Sequence, residues 1–292
     1  MPSNQSIRFP FTGLGVTFDI TSNYLIFYNN KSEPIAYWEF MKNPWKKESD
    51  TKNGWRQIGG TRIRIQKKPV WRSYKYPVEN LKMAFDYVRD LFRLPITRYL
   101  LSYNNKNLSP QYLNIKKCDE LRIDTCRKIS VDEMKYVLEE MEISKKLTLC
   151  LERYYEFKYD FIRFSVDELT INYAFWITKE TFLAMDCARI TLERNKNLPI
   201  REFVSQWLLS RNTRFEWLKM HRNLEQINWN EGFEPLKWNP AIRGRYFKIN
   251  SFQSVDCEKG IDFLREDGML ATVVKAEMGL IYFIVWHKRF QP

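Results

Sequence analysis

The sequence predicts a mixed α/β (α+β) protein, in which a short, degenerate, leucine-rich-like layer of α/β repeats lies between an N-terminal β-rich segment and a C-terminal antiparallel meander. Three observations predict it. Runs with strand-like alternation occupy residues 15–72, short apolar-x-apolar strands alternate with amphipathic helices over residues 97–220, and three strand-like runs joined by glycine-bearing turns close the chain. By pattern the segments are 1–76, 77–222 and 223–292, read together as one continuous domain.

At the front, Tyr24 to Tyr28, Ile35 to Phe40 and Thr61 to Lys67 read as strands. Period-two alternation in the last puts Ile63 and Ile65 on one face and basic side chains on the other. Lys42 to Gly54 lacks periodicity and reads as a surface loop. Pro77 suits a helix start, where its missing N–H is not needed, and Leu81, Ala84, Phe85, Val88, Leu91 and Phe92 then form one apolar stripe. Pro95 is expected to stop that helix.

In the middle, the strand candidates are Thr97 to Leu101, Glu120 to Ile123, Leu147 to Leu151, Glu168 to Ile171, Arg189 to Leu192 and Trp217 to Met220. The leading apolar residues of the last five, Leu121, Leu147, Leu169, Ile190 and Leu218, are 26, 22, 21 and 28 residues apart. That spacing suits leucine-rich α/β units, in which no single unit can bury its own apolar face. The regular asparagine ladder of such repeats is lacking, so an ordinary α/β layer is the other reading. Ser130 with Glu133 makes a capping box ahead of Met134, Val137, Leu138 and Met141. Thr178 caps a short helix through Phe182 and Met185, and Pro199 suits the first turn of the helix bearing Phe203, Val204, Trp207 and Leu208.

Beyond Asn223 the chain carries Trp229, Pro235, Trp238 and Pro240 before returning to strands at Ile261–Arg265, Leu270–Ala276 and Leu280–Trp286. Asp267-Gly268 suits the first hairpin turn, since both residues tolerate positive φ, and Gly279 suits the second.

With 292 residues, 44% hydrophobic and 16% aromatic, the chain can bury a sizeable core. No apolar run of membrane-spanning length or secretory leader is visible, so an intracellular protein, cytoplasmic or nuclear and without a membrane partner, is expected. The five cysteines form no Cys-x-x-Cys pair and read as reduced, buried hydrophobes. The net charge of +12 is spread in small clusters rather than gathered in a tail. The run from Arg62 to Lys68, with Trp71, Tyr74 and Tyr76, has the composition of a single-strand stacking platform, which makes a basic nucleic-acid-binding protein the alternative function.

Catalytic signals are sparse. The two histidines, His221 and His287, stand at strand ends; Asp132-Glu133, Glu139-Glu140 and Glu266-Asp267 read as cap, solvent face and turn. Gly13, Gly15, Gly59 and Gly60 lack the strand–glycine–helix context of a nucleotide site. No catalytic residue, metal site or cofactor is expected, and the chain reads as a non-enzyme.

Three positions carry a family resemblance: Phe203 with Trp207-Leu208, Gly260-Ile261-Asp262 with Arg265 to Thr272, and Val285-Trp286. Together they resemble the F-box-associated domain (type 2) of nematode F-box proteins. The resemblance implies protein binding: capture of a target protein for a Skp–cullin ubiquitin ligase, with these residues as fold determinants. Members of that family usually begin with an F-box, whereas here Phe9-Pro10-Phe11 runs directly into Gly13, Gly15 and a strand. The expectation is therefore an associated domain lacking its own F-box, either free-standing or part of a longer product. The Skp adaptor and cullin are expected partners only where an F-box is present. The target and its binding surface are not specified by the sequence: loops at one end of the α/β units and the aromatics around Trp229 and Trp238 are candidates, with burial in the core the first expectation for the aromatics.

Overall fold

A computed structural model describes residues 10–18, 23–40, 54–58, 61–66, 78–102, 108–124, 129–151, 158–195, 198–221 and 227–287, and over these the chain is mixed α/β. It divides into two compact units, Met1–Ser144 and Lys145–Pro292. The division falls inside a strand, whereas the segments 1–76, 77–222 and 223–292 follow sequence pattern.

In the first unit, β1 (Gly13–Phe18) lies between β2 (Asn23–Tyr28), antiparallel, and β6 (Ile96–Leu101), parallel. β3 (Pro34–Phe40), β5 (Thr61–Gln66) and β4 (Gly54–Ile58) extend the sheet antiparallel beyond β2, and β7 (Lys117–Asp124) extends it parallel beyond β6. Gly13 and Gly15 are strand glycines: a Cβ at Gly15 would strike the Tyr28 ring, so this pair makes room for packing. The faces of Ile63 and Ile65 and the loop 42–53 lie outside the described residues.

Helix α1 (Val78–Phe92) buries Ala84, Phe85 and Val88 completely, while Leu91, at 53% exposed, stands outside the expected stripe. Phe92 meets Phe27 and Trp38 edge-on. The helix stops before Pro95 because Arg93 turns to φ 50° while its N–H still reaches the Arg89 carbonyl. Ser130 and Glu133 form the expected reciprocal cap of α2 (Val131–Lys135), which runs into a π-turn, Tyr136–Glu140. Met141 then leaves the helix in extended conformation.

In the second unit the strands are β8 (Glu142–Cys150, from Lys145 onward), β9 (Glu168–Asn172), β10 (Arg189–Leu192) and β11 (Trp217–His221). They lie side by side in chain order and parallel, with Leu147, Leu169, Ile190 and Leu218 in register. The spacing read from the sequence is thus the spacing of laterally stacked strands. Thr178 caps α3 (Lys179–Leu183), and Pro199 stands at the N-cap of α4 (Ile200–Leu209).

One side chain organises the helix side of this sheet. Phe283 meets Phe203 and Trp207 of α4 edge-on and stacks on Phe215 at 5.7 Å, while Phe203 stacks on Phe182 of α3 at 5.0 Å. The meander expected at the C-terminus is present: β17 (Leu280–Trp286) pairs antiparallel with β11 and with β16 (Leu270–Lys275), β16 with β15 (Ile261–Leu264), and β12 (Leu236–Lys237) edges β15.

The turn between β15 and β16 differs from the expectation in one respect. Only Gly268 has positive φ, at 88°. Asp267 serves the turn through its carboxylate, which accepts the Met269 N–H at 3.0 Å. A separate hairpin, β13 (Tyr246–Lys248) and β14 (Ser254–Asp256), packs on the face opposite the helices, where Val255 and Cys257 join Trp217, Val274, Tyr282 and Ile284 in a second apolar cluster.

Candidate functional site

Beneath that hairpin lies a charged group taken fully out of water. Arg243 is 1% exposed, and its partner Asp262, inside β15, is 2% exposed. Arg243 Nε is 2.9 Å from both Asp262 carboxylate oxygens, and Nη2 is 2.9 Å from Oδ1. The remaining donors reach backbone: Nη2 donates to the Cys257 carbonyl at 2.9 Å and Nη1 to that of Gly244 at 3.0 Å. Thr272 Oγ1 donates to Asp262 at 2.7 Å and accepts from Trp286 Nε1 at 2.8 Å, and the Trp286 ring faces the guanidinium at 5.3 Å. Each polar atom named has a partner, the condition under which a buried ion pair is tolerated. Gly260 leaves the space: a Cβ there would run into Thr272 Cγ2 and approach the Cys257 carbonyl at 3.0 Å.

On the helix side a second buried arginine holds an exposed carboxylate. Arg265, 3% exposed, holds Asp267 through Nε and Nη2 at 2.9 and 2.7 Å, donates to the Asn212 carbonyl at 2.9 Å and lies 4.6 Å over the Trp207 ring. Its hydrogen bonds, with that from the Met269 N–H, hold the Asp267 carboxyl down at about 2.

The hairpin seated on this base carries the most exposed aromatics among the described residues of the unit. Phe252, in the turn, is 99% exposed, and Tyr246 is 59% exposed with Arg245 5.2 Å from its ring. Arg245 is held in turn by Asp256 at 2.7 Å and Glu258 at 3.0 Å. Across the parallel strands runs a ladder of half-buried charges. Lys146 pairs with Glu168, and Arg189 stands 3.8 Å from Glu168 and 3.9 Å from Glu216. Such solvent-accessible pairs contribute about 0–1 kcal/mol each. The ladder ends beside the hairpin in a cleft of about 500 Å³ whose lining includes Arg214, Glu216, Tyr246, Lys248, Trp286 and His287.

Several of the residues singled out in the sequence lie in these two sites. Asp262, Thr272 and Trp286 build the first arginine site, and Arg265, Asp267 and Trp207 build the second. Arg243, at the centre of the first, carried no sequence signal of its own; the signal lay in Asp262, a carboxylate in the middle of an apolar strand. Trp229 is 8% exposed and packs on Phe233 and Phe263, as a core residue, while Trp238 is half-buried and donates to the Arg243 carbonyl at 3.4 Å. Displayed aromatics come instead from Tyr246 and Phe252.

His221 Nδ1 accepts the Arg194 N–H at 3.5 Å, and His287 Nε2 lies 2.6 Å from the Phe215 carbonyl. Burial pushes the thiols of Cys187 and Cys257 up to about 11 and that of Cys118 to about 12. Cys126 and the side chains of the 62–76 basic and aromatic run lie outside the described residues. Among the described residues no three His, Cys, Asp or Glu side chains cluster to hold a metal ion, and no helix is long and apolar enough to cross a membrane.

Two relatives are found, both uncharacterized proteins of Caenorhabditis elegans. F59B2.8 is 30% identical over 138 residues, 43% of this chain and 31% of the relative; F59B2.9 is 24% identical over 187 residues, 61% of this chain and 44% of the relative. The chain therefore spans less than half the length of these relatives. No protein-family model and no solved structure matches it.

Two predictions follow from the arginine sites. Arg243→Met, leaving Asp262 buried and unpaired, is expected to cost about 3–5 kcal/mol in urea unfolding, and Arg243→Met with Asp262→Leu to recover most of that loss. Equal losses in the single and double variants would contradict the pairing. The depressed Asp267 pKa contributes stability that is fully present above the unfolded value of about 3.9 and is lost as pH falls toward about 2. Asp267→Asn should accordingly flatten the fall of melting temperature between those pH values; parallel curves for the two proteins would refute the assignment.

Proposed function

We propose that this chain is a protein-recognition module, the target-capturing part of an F-box-type subunit of a Skp–cullin ubiquitin ligase. The observation that carries the reading is a short hairpin, seated over a buried ion pair, that presents Tyr246 and Phe252 to solvent. Exposed aromatics on a pre-organised element supply contact area with little ordering cost, and aromatic anchors dominate binding energy at protein interfaces. The ligase part of the proposal rests on the resemblance to the nematode F-box-associated family, whose motif positions here build the two arginine sites. The module works inside the cell, in cytoplasm or nucleus, with its cysteines reduced, and captures its target without a cofactor. The Skp adaptor and cullin join only where an F-box accompanies it.

The test is a pull-down from C. elegans lysate with the tagged chain and its Phe252→Ser variant, read by mass spectrometry. The expected outcome is a set of proteins retained by the unsubstituted chain and depleted severalfold by Phe252→Ser, with unchanged melting temperature. Identical recovery by the two would contradict the hairpin as the contact surface. Captured proteins without Skp or cullin would leave recognition standing and remove the ligase.

A further inference from the structure

The hairpin has an open backbone edge, and that edge lines the cleft. In β13–β14 the partners are Tyr246 with Asp256, Phe247 with Val255 and Lys248 with Ser254. Beyond the strand ends the Cys257 N–H bonds the Arg245 carbonyl at 2.7 Å and the Ile249 N–H bonds that of Gln253 at 3.0 Å. Antiparallel ladders alternate, so the residues whose N–H and C=O face β14 are Arg245, Phe247 and Ile249. The N–H and C=O of Tyr246 and of Lys248 point the other way. On that side lies the 500 Å³ cleft, lined by residues 246–248 and by none of 254–256. The β14 side opens onto a different cleft, lined by Ser254, Val255 and Asp256.

We propose that the open edge of β13 takes up an extended, acidic peptide segment of a partner protein as an added strand. Main-chain hydrogen bonds to Tyr246 and Lys248 would supply the affinity, as in strand addition generally, and the cleft would receive side chains from one face of the peptide. The edge carries no proline, and Tyr246, steadied by Arg245, stands at its start. Charge selects the occupant. Glu216 is engaged by Arg189, and Arg214 retains Asp167 at 2.7 Å, so the basic group left to an incoming strand is Lys248, exposed at the end of the edge and without an ion pair among the described residues. A net charge of +12 on the whole chain adds long-range attraction for an acidic segment.

This inference rests on the recognition reading but is tested apart from it. The probes are fluorescein-labelled octapeptides in which valine or threonine alternates with glutamate, the same peptides with lysine for glutamate, and glutamate peptides N-methylated at alternate residues, measured by fluorescence polarisation with the full chain. Glutamate peptides are expected to bind, and the lysine and N-methylated forms to bind at least tenfold more weakly. Two variants separate the edges. Lys248→Pro removes an outward N–H from β13, and Ser254→Pro removes the equivalent one from β14; neither touches the bonds that join the two strands. The first should weaken binding at least tenfold and the second leave it within about twofold, both with wild-type circular dichroism. The proposal is overturned by absent binding, by indifference to N-methylation, or by equal effects of the two prolines. It is likewise overturned by a dimer of the chain in light scattering that Lys248→Pro dissolves, which would make a second copy the occupant. Loss of peptide binding with lysate capture intact sinks the edge alone, whereas failure of capture sinks the recognition reading beneath it.

Discussion

A guanidinium buried beside a carboxylate is stable only when its donors are spent, because withdrawing either ion from water costs several kcal/mol that the pair alone does not return. Arg243 meets this condition with groups from four places: Asp262 in β15, its neighbour Gly244, Cys257 after β14, and the Trp286 ring at the end of β17. The constraint therefore reaches beyond the pair. The chain before β13 and the chain after β14 must both arrive at one point over the sheet, and the small residue Gly260 keeps that point accessible. Hydrophobic contact alone would hold the hairpin against Trp217, Tyr282 and Ile284, but it would not set its orientation as sharply.

The sheet below has two differently dressed faces. On one, Phe203, Trp207 and Phe215 gather around Phe283 and fasten α4. On the other, the hairpin covers the β11, β16 and β17 end, and the row from Lys146 to Glu216 is half-buried beside it. An interaction surface assembled from a rigid hairpin and the charged row beside it needs no moving part, which is why the proposed role is recognition by a preformed shape.

Much of this architecture was legible in the sequence, and for definite reasons. Leu147, Leu169, Ile190 and Leu218 declare the parallel strands because each occupies the buried position of a short alternating run. Ser130 with Glu133, and Thr178, declare helix starts because a side-chain oxygen must satisfy a free N–H there. The C-terminal meander is declared by Gly268 and Gly279, both at positive φ. What stayed hidden was set by distance along the chain or by brevity. β13 and β14 have three residues each, too few for a period to register. Arg243 reads locally as one more surface cation in Arg-Gly-Arg, and only its contact with Asp262, nineteen residues away, makes it a core residue. Trp229 was legible as a core residue by its type alone, and Phe263 is found against it, while the partner of Trp238, the Arg243 carbonyl, was not.

The central claim is that Arg243 seats the hairpin on the sheet, and hydrogen–deuterium exchange of the full chain with and without Arg243→Met tests it most directly. The account predicts that protection falls together across residues 245–265 while β9 and β10 exchange as slowly as before. Unchanged protection of the hairpin, or a loss spread evenly over the whole second unit, would contradict it.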